Sequence, residues 1–320
     1  AAAPFVNVGG NYDNPNVAPG AAARANMMNN TTFGWQTGTC AIPVQNNGYT
    51  FTLDSGNGND LNYGGAITGT GTVRFLMGPW SPTPYWTLNN PLRLTGAQPN
   101  TIQGTYYAAK GRVQLEKSDG VAAISGNIIV GGQGDNDGLF WAANDQIIDI
   151  ATVSLLNSAH GGAYLDLNGH TETITALSMA ATAKVATGNG GVLTVSTLTI
   201  GSQSYGGGTY TTLNSSFVTG SGSVVVVPPI TKPALPAGLA ATATNLLVTL
   251  RWNVVTNATG YNVKRSLVSN VFNTVIGGTS GSATTNYPDT QVTNGVLYWY
   301  VVSATNSAGE STNSAPVSAR

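Results

Sequence analysis

Charge is what this sequence has least of. Of 320 residues, 12 are Lys or Arg and 13 are Asp or Glu, so 8% are charged, against about 25% in ordinary soluble domains. With a net charge of −1 there is no electrostatic footprint for nucleic acid or an anionic membrane, and neither is expected as a partner. Histidine is nearly absent, with His160 and His170 alone, which leaves little for general acid–base chemistry. The single cysteine, Cys40, excludes an intrachain disulfide, so stability has to come from packing and hydrogen bonding. No apolar run approaches the roughly 20 residues of a membrane-spanning helix, and membrane insertion is not expected.

What the chain has instead is glycine, asparagine and short β-branched runs. From about 46 to 227 one theme recurs, as in Leu92-Arg93-Leu94-Thr95-Gly96, Asn127-Ile128-Ile129-Val130-Gly131, Leu198-Thr199-Ile200-Gly201 and Gly222-Ser223-Val224-Val225-Val226-Val227. Runs of four to six residues bounded by Gly and Asn read as strands, because β-branched side chains fit a pleated surface and Gly supplies turn dihedrals. Recurrence at loose spacings of roughly 15–30 residues points to a solenoid, whose units bury their apolar faces only against their neighbours. The charge deficit follows from such a fold. Equivalent side chains of successive rungs lie about 4.8 Å apart, where like charges repel and neutral amides and hydroxyls stack.

The stretch from Leu92 to Val227 resembles the autotransporter-associated β-strand repeat of large exported bacterial proteins. The residues that carry the resemblance are Leu92-Arg93-Leu94-Thr95-Gly96-Ala97, Ala163-Tyr164-Leu165-Asp166-Leu167-Asn168-Gly169 with Thr173-Ile174-Thr175-Ala176-Leu177, and Gly208-Thr209-Tyr210-Thr211 with Val218-Thr219-Gly220-Ser221-Gly222-Ser223-Val224. The resemblance implies a right-handed parallel β-helix that serves as a surface stalk without chemistry of its own. No translocating barrel follows it in this sequence.

Four regions are expected. Residues 1–45 are a polar leader, rich in Asn, Ala and Gly, that caps the first rung or docks on a neighbouring molecule. Its opening Ala1-Ala2-Ala3-Pro4 has the small-residue character left by signal-peptide cleavage. Residues 46–227 form the β-helix. Residues 228–236 hold four prolines and read as an extended, semi-rigid spacer. Residues 237–320 alternate at period two, placing Val248, Leu250 and Trp252 on one face, Tyr261 and Val263 on another, then Tyr298, Tyr300, Val302 and Ala304. Turn signals at Asn257-Ala258-Thr259-Gly260 and Asn294-Gly295 complete the pattern of a β-sandwich. This segment resembles a fibronectin type III domain through Leu250-Arg251-Trp252, Gly260-Tyr261-Asn262-Val263, Tyr287-Pro288-Asp289, Gly295-Val296-Leu297-Tyr298-Trp299-Tyr300 and Asn306-Ser307-Ala308-Gly309. The resemblance makes Trp252, Tyr261, Tyr298 and Tyr300 core residues, with Trp252 the core tryptophan and Tyr298 a corner tyrosine whose hydroxyl bonds to backbone. The expected fold class is all-β, a solenoid followed by a sandwich.

Candidate chemistry is sparse. Pro79-Trp80-Ser81-Pro82-Thr83-Pro84-Tyr85-Trp86 interrupts the repeat, and its prolines make it a surface excursion. Trp80, Tyr85 and Trp86 either stack on a glycan or partner, or fold back over the solenoid. Asp135 and Asp137 in one loop, and Asp54 and Asp60 in another, are the dense oxygen groups that calcium would need, although neither spacing fits a metal template and both loops also read as tight turns. No other cofactor is expected. Neither His160 nor His170 has the neighbours of a nucleophile–base pair, and Cys40 reads as a buried or interface thiol.

Two functions fit. The first is a non-catalytic structural protein exported by a bacterium to the cell surface or beyond, self-assembling head-to-tail into a filament, surface layer or matrix, since open solenoid ends must be paired or capped. The second is a polysaccharide-binding accessory module of a larger secreted degrading protein.

Overall fold

Runs in which every second residue is aliphatic can bury only one face, and this chain buries those faces by stacking them. The computed structural model describes residues 5–12, 24–34, 38–41, 43–54, 61–76, 91–132, 137–158 and 161–320. The chain divides into two compact units, Ala1–Pro228 and Pro229–Arg320, and the described residues contain strands and turns but no helix.

The first unit is a β-solenoid built from two sheets of parallel strands. The long sheet runs Phe5–Tyr12, Arg24–Gly34, Val44–Asp54, Ile67–Leu76, Thr105–Lys110, Asn127–Val130, Thr152–Leu155, Thr171–Met179, Val192–Ile200, Ser223–Val226. The short sheet runs Gly38–Cys40, Leu61–Tyr63, Leu92–Gly96, Arg112–Lys117, Gly138–Trp141, Tyr164–Asp166, Lys184–Ala186, Val218–Thr219. From Arg24–Gly34 onward the chain alternates between the sheets, so each turn contributes one strand to each.

Register converts this topology into a core. In the long sheet Phe51, Val73, Tyr106, Ile128, Val153, Leu177 and Leu198 lie over one another. In the short sheet Leu61, Leu92, Val113, Leu139, Leu165, Val185 and Val218 do the same. All are buried and belong to one continuous apolar cluster. Each such side chain stabilises the fold by about 1.5–3 kcal/mol relative to an exposed one. Within these columns the spacing between register partners ranges from 20 residues for Leu165 and Val185 to 33 for Val73 and Tyr106, because the inward rungs are constant and the outward connections are not.

Parallel pairing begins earlier than residue 46, where the repeat reading places the first rung. Phe5–Tyr12 pairs with Arg24–Gly34, which pairs with Val44–Asp54, so these segments are strands of the long sheet. They lack the β-branched run closed by glycine, and backbone register alone marks them as rungs. At its other end the long sheet closes with two antiparallel strands of three residues, Gln203–Tyr205 on Val192–Ile200 and Gly208–Tyr210 on Ser223–Val226. The rings of Tyr205, Tyr210 and Phe217 meet there at centroid distances of 5.4–5.7 Å. Short edge strands of this kind blunt edge-to-edge pairing.

The second unit is a fibronectin type III-like sandwich. Ala240–Thr244, Leu247–Arg251 and Asn286–Asp289 form one antiparallel sheet. Gly260–Ser266 lies between Val275–Ser280 and Tyr298–Asn306 in the other, which Gly309–Glu310 and Val317–Ala319 extend. Val248, Leu250, Trp252, Tyr261, Val263, Tyr300, Val302 and Ala304 fill the space between the sheets, and Tyr298 packs half-buried against them. The Trp252 and Tyr261 rings meet edge-on at 5.3 Å, while the Tyr298 hydroxyl accepts a hydrogen bond from the Thr293 N–H at 3.3 Å. The Thr231 carbonyl accepts from Asn257 and Asn306, each at 2.7 Å, so this part of the proline-rich stretch is tied to the sandwich.

One carboxylate is set into that core. Asp289 is buried, accepts from Arg265 Nη1 at 2.9 and 3.1 Å and from the Tyr300 hydroxyl at 2.9 Å. Burial, reinforced by the hydrogen bond to Asp289, holds the Tyr300 phenol well above its ordinary pKa. Replacing Asp289 by Ala strands a cation and a buried hydroxyl. We expect Asp289→Ala to lower the stability of the sandwich by about 3 kcal/mol, read as a reduced urea midpoint; an unchanged midpoint would contradict this role.

Candidate functional site

The residues named from sequence separate into three groups. Trp80, Tyr85, Trp86, Asp60, Asp135 and His160 lie outside the described residues. Asp137 is buried, and its Oδ1 accepts the Gly111 N–H at 2.8 Å, so that carboxylate caps the turn of a neighbouring rung. Asp54 ends the strand Val44–Asp54, half-buried, and Cys40 is a buried thiol. His170 sits in the turn after Asn168 and Gly169, both at positive φ, with its N–H bonded to the Leu167 carbonyl at 2.8 Å. Among the described residues no group of three or more His, Cys, Asp or Glu side chains could hold a metal ion.

A buried acid and a buried amine, both with shifted pKa values, lie where the chain turns from the short sheet toward the long one. Period two puts Lys117 on the inward face with Val113 and Leu115, and Glu172 inward with Ile174. Glu172 Oε2 accepts from Trp141 Nε1 at 2.7 Å, the Gln146 N–H at 2.8 Å and the Ile147 N–H at 2.9 Å, and Oε1 accepts the Thr173 N–H at 3.0 Å. Burial raises its pKa to about 7 against these four donors. Gln146 passes the network on, its Oε1 accepting the Lys117 N–H at 2.9 Å. Lys117 Nζ donates to the Thr95 and Gln98 carbonyls at 3.0 and 2.8 Å, and burial lowers its pKa to about 8. Perturbed groups in a cleft mark catalysis. These instead bridge successive rungs from inside, with their polar atoms already committed to backbone and indole.

A different grouping faces outward from the short sheet. Gly138 lies beneath the Tyr164 ring, and a Cβ placed on it would come within 2.8–2.9 Å of Tyr164 Cζ, Cε1 and Cε2. Phe140 meets that ring at 90° with centroids 5.1 Å apart, and the Arg112 guanidinium stacks 3.5 Å from the centre of Phe140. One strand over, Glu116 Oε2 accepts from Arg93 Nη1 and Gln114 Nε2, both at 3.2 Å. Desolvation lowers the Arg112 pKa, while the nearby Tyr164 and Asp166 oppose that shift. Burial in this cluster raises the Tyr164 phenol. The sequence reading missed this grouping because Arg112, Phe140 and Tyr164 belong to three different turns. The sandwich carries an open groove of about 730 Å3 beside Arg265, Leu267, Val271 and Tyr298, but its cation is held by Asp289.

No family model matches the chain. It is 37% identical over 81 residues to an amylopullulanase of Thermoanaerobacterium saccharolyticum, a match covering 25% of this chain and 6% of that protein. It is 45% identical over 87 residues to a poly(3-hydroxybutyrate) depolymerase of Ralstonia pickettii, covering 26% of this chain and 16% of that protein. The chain therefore spans a small part of either relative, and the matched regions are fibronectin type III-like rather than catalytic. Among solved structures, it is 39% identical to a Fn3-like protein from Clostridium thermocellum, covering 28% of this chain and 94% of that one with a TM-score of 0.25. The chicken CNTN1 FN1-FN3 domains are 18% identical, covering 33% and 37% with a TM-score of 0.27.

The sign of the Glu172 linkage is fixed by its raised pKa. Below pH 4.5 the group is protonated in both folded and unfolded chains; as pH rises toward about 7 the unfolded chain releases the proton first, and stability falls across that window. We expect urea stability of the solenoid to decline from pH 4.5 to 7, and the decline to be smaller in Glu172→Gln. Equal slopes in the two proteins would show that Glu172 does not titrate this way.

Proposed function

We propose that this chain is a non-catalytic part of an exported bacterial protein that acts on an extracellular polymer, the sandwich serving as a spacer and the solenoid as a contact surface. The observation that carries this reading is the similarity of its fibronectin type III-like unit to regions of two polymer-degrading enzymes, an amylopullulanase and a poly(3-hydroxybutyrate) depolymerase. The resemblance of the solenoid to autotransporter-associated repeats supports export. The buried corner network supports the absence of catalysis, since its carboxylate and amine serve the fold. No helix of the described residues is long and apolar enough to cross a membrane.

Head-to-tail self-assembly was expected from unpaired ends of a solenoid. At the C-terminal end of the long sheet, the three-residue antiparallel strands Gln203–Tyr205 and Gly208–Tyr210 give that contact no support.

Sedimentation with insoluble starch and with poly(3-hydroxybutyrate) granules, followed by assay of soluble products, tests the reading. The full chain is expected to pellet with at least one polymer and to release neither reducing sugar nor hydroxy acid. Sustained product release would overturn the non-catalytic assignment, and failure to pellet with either polymer would overturn the contact role.

A further inference from the structure

We infer that the outward face of the short sheet is a carbohydrate platform centred on Tyr164, shaped for the flat face of a neutral sugar within a polysaccharide. This rests on the polymer-contact reading above and locates the contact. The three ring atoms of Tyr164 equidistant from the site of a missing Gly138 Cβ mean that the ring lies across Gly138 on the outer side of the sheet, with Tyr164 half-buried and Lys184 its register partner on the next strand. A half-exposed aromatic face of that kind matches the C–H face of a pyranose, apolar on both sides and bounded by polar edges.

The ring is fixed in place on three sides. Gly138 removes the Cβ that would lift it, Phe140 stands perpendicular to it, and Arg112 is held upright by stacking on Phe140. A sugar resting on Tyr164 would therefore meet planar donors and acceptors already oriented, which lowers the ordering cost of binding. Arg112 and Arg93 donate, while Glu116 and Asp166 accept. With Lys184, the register partner of Tyr164, three cations are interspersed with two carboxylates, a mixed set that suits a hydroxyl-bearing ligand.

The composition makes this concentration informative. In the later rungs the outward columns of the long sheet hold residues such as Thr152, Ala176 and Thr197, or Ser154, Ser178 and Thr199, as neutral stacking favours, the latter column having passed through Arg74, Tyr107 and Ile129 in the earlier rungs. The outward column Asn62, Arg93, Gln114, Phe140, Asp166 of the short sheet changes chemistry at every rung. Stacking does not require that variety in a chain with 8% charged residues. The four strands from Leu92–Gly96 to Tyr164–Asp166, at about 4.8 Å each, give a track of roughly 15 Å, long enough for more than one sugar unit.

Calorimetric titration of the full chain with soluble starch, a neutral β-glucan and polygalacturonate provides the test. The parent should bind a neutral glucan, Tyr164→Ala should bind it about tenfold more weakly through loss of the ring face, and Tyr164→Phe should retain binding. Gly138→Ala, which tilts the ring, should weaken binding in the same direction; urea midpoints of all variants separate this from unfolding. Binding by the parent that is unchanged in a folded Tyr164→Ala overturns the platform while leaving the polymer-contact function standing. Preference for polygalacturonate overturns the neutral-sugar assignment. No binding of the parent to any of the three overturns the platform, and failure on insoluble polymers as well would remove the function on which it rests.

Discussion

In-register stacking of parallel strands is the constraint from which the rest of the first unit follows. Once neighbouring rungs sit about 4.8 Å apart, the inward columns along the middle of each sheet must be apolar and of compatible size, and a shift of one residue would turn the whole buried set outward. The columns through Val73, Tyr106, Ile128 and Val153, and through Leu92, Val113, Leu139 and Leu165, meet that demand without interruption. The same spacing explains why like charges are scarce, and why hydroxyls and amides bond between rungs, as Thr68 Oγ1 does to Gln45 Oε1 at 3.1 Å.

Where the chain turns, stacking leaves backbone groups that the sheets do not pair. Buried polar side chains satisfy them. Asn100 accepts the Ile67 N–H and donates to the Ala123 carbonyl, at 2.9 and 2.7 Å, thereby joining three turns. Gln146, Lys117 and Glu172 continue the pattern farther along. A buried donor or acceptor left unmatched costs about 1–3 kcal/mol, so these few residues keep the corner in register much as the aliphatic columns do for the faces. Perturbed titration here is a consequence of structural duty, which is why it does not mark an active site.

The sequence made the two architectures legible because each has a local periodic signature. Runs such as Asn127-Ile128-Ile129-Val130-Gly131 announce rungs, and the alternation Tyr298, Tyr300, Val302, Ala304 announces a sandwich strand. The first strands, Phe5–Tyr12 and Arg24–Gly34, were not legible, since Asn- and Gly-rich segments carry no aliphatic period and are strands through their neighbours. Glu172 and Lys117 were partly legible: their period-two positions place them inward, but nothing local names the donors and carbonyls that receive them. The Tyr164 grouping was illegible in principle, because residues 112, 138, 140 and 164 meet only after three turns are superposed. The excursion containing Trp80, Tyr85 and Trp86 lies outside the described residues, so the aromatic contact argued for this protein rests on other side chains.

If the rungs are in register as described, the function argued for this chain has a rigid face to act from; if they are not, neither the platform nor the corner network exists. Paired cysteines test register directly, in a background where Cys40 is replaced by Ser. Thr173 and Thr194 are register partners facing outward on adjacent strands, at a separation near the roughly 4.4–6.8 Å that a disulfide spans. Thr173→Cys with Thr194→Cys should oxidise readily to an intrachain disulfide, whereas Thr173→Cys with Ser196→Cys, two residues out of register, should not. Efficient crosslinking of the second pair in place of the first would contradict the stacked register.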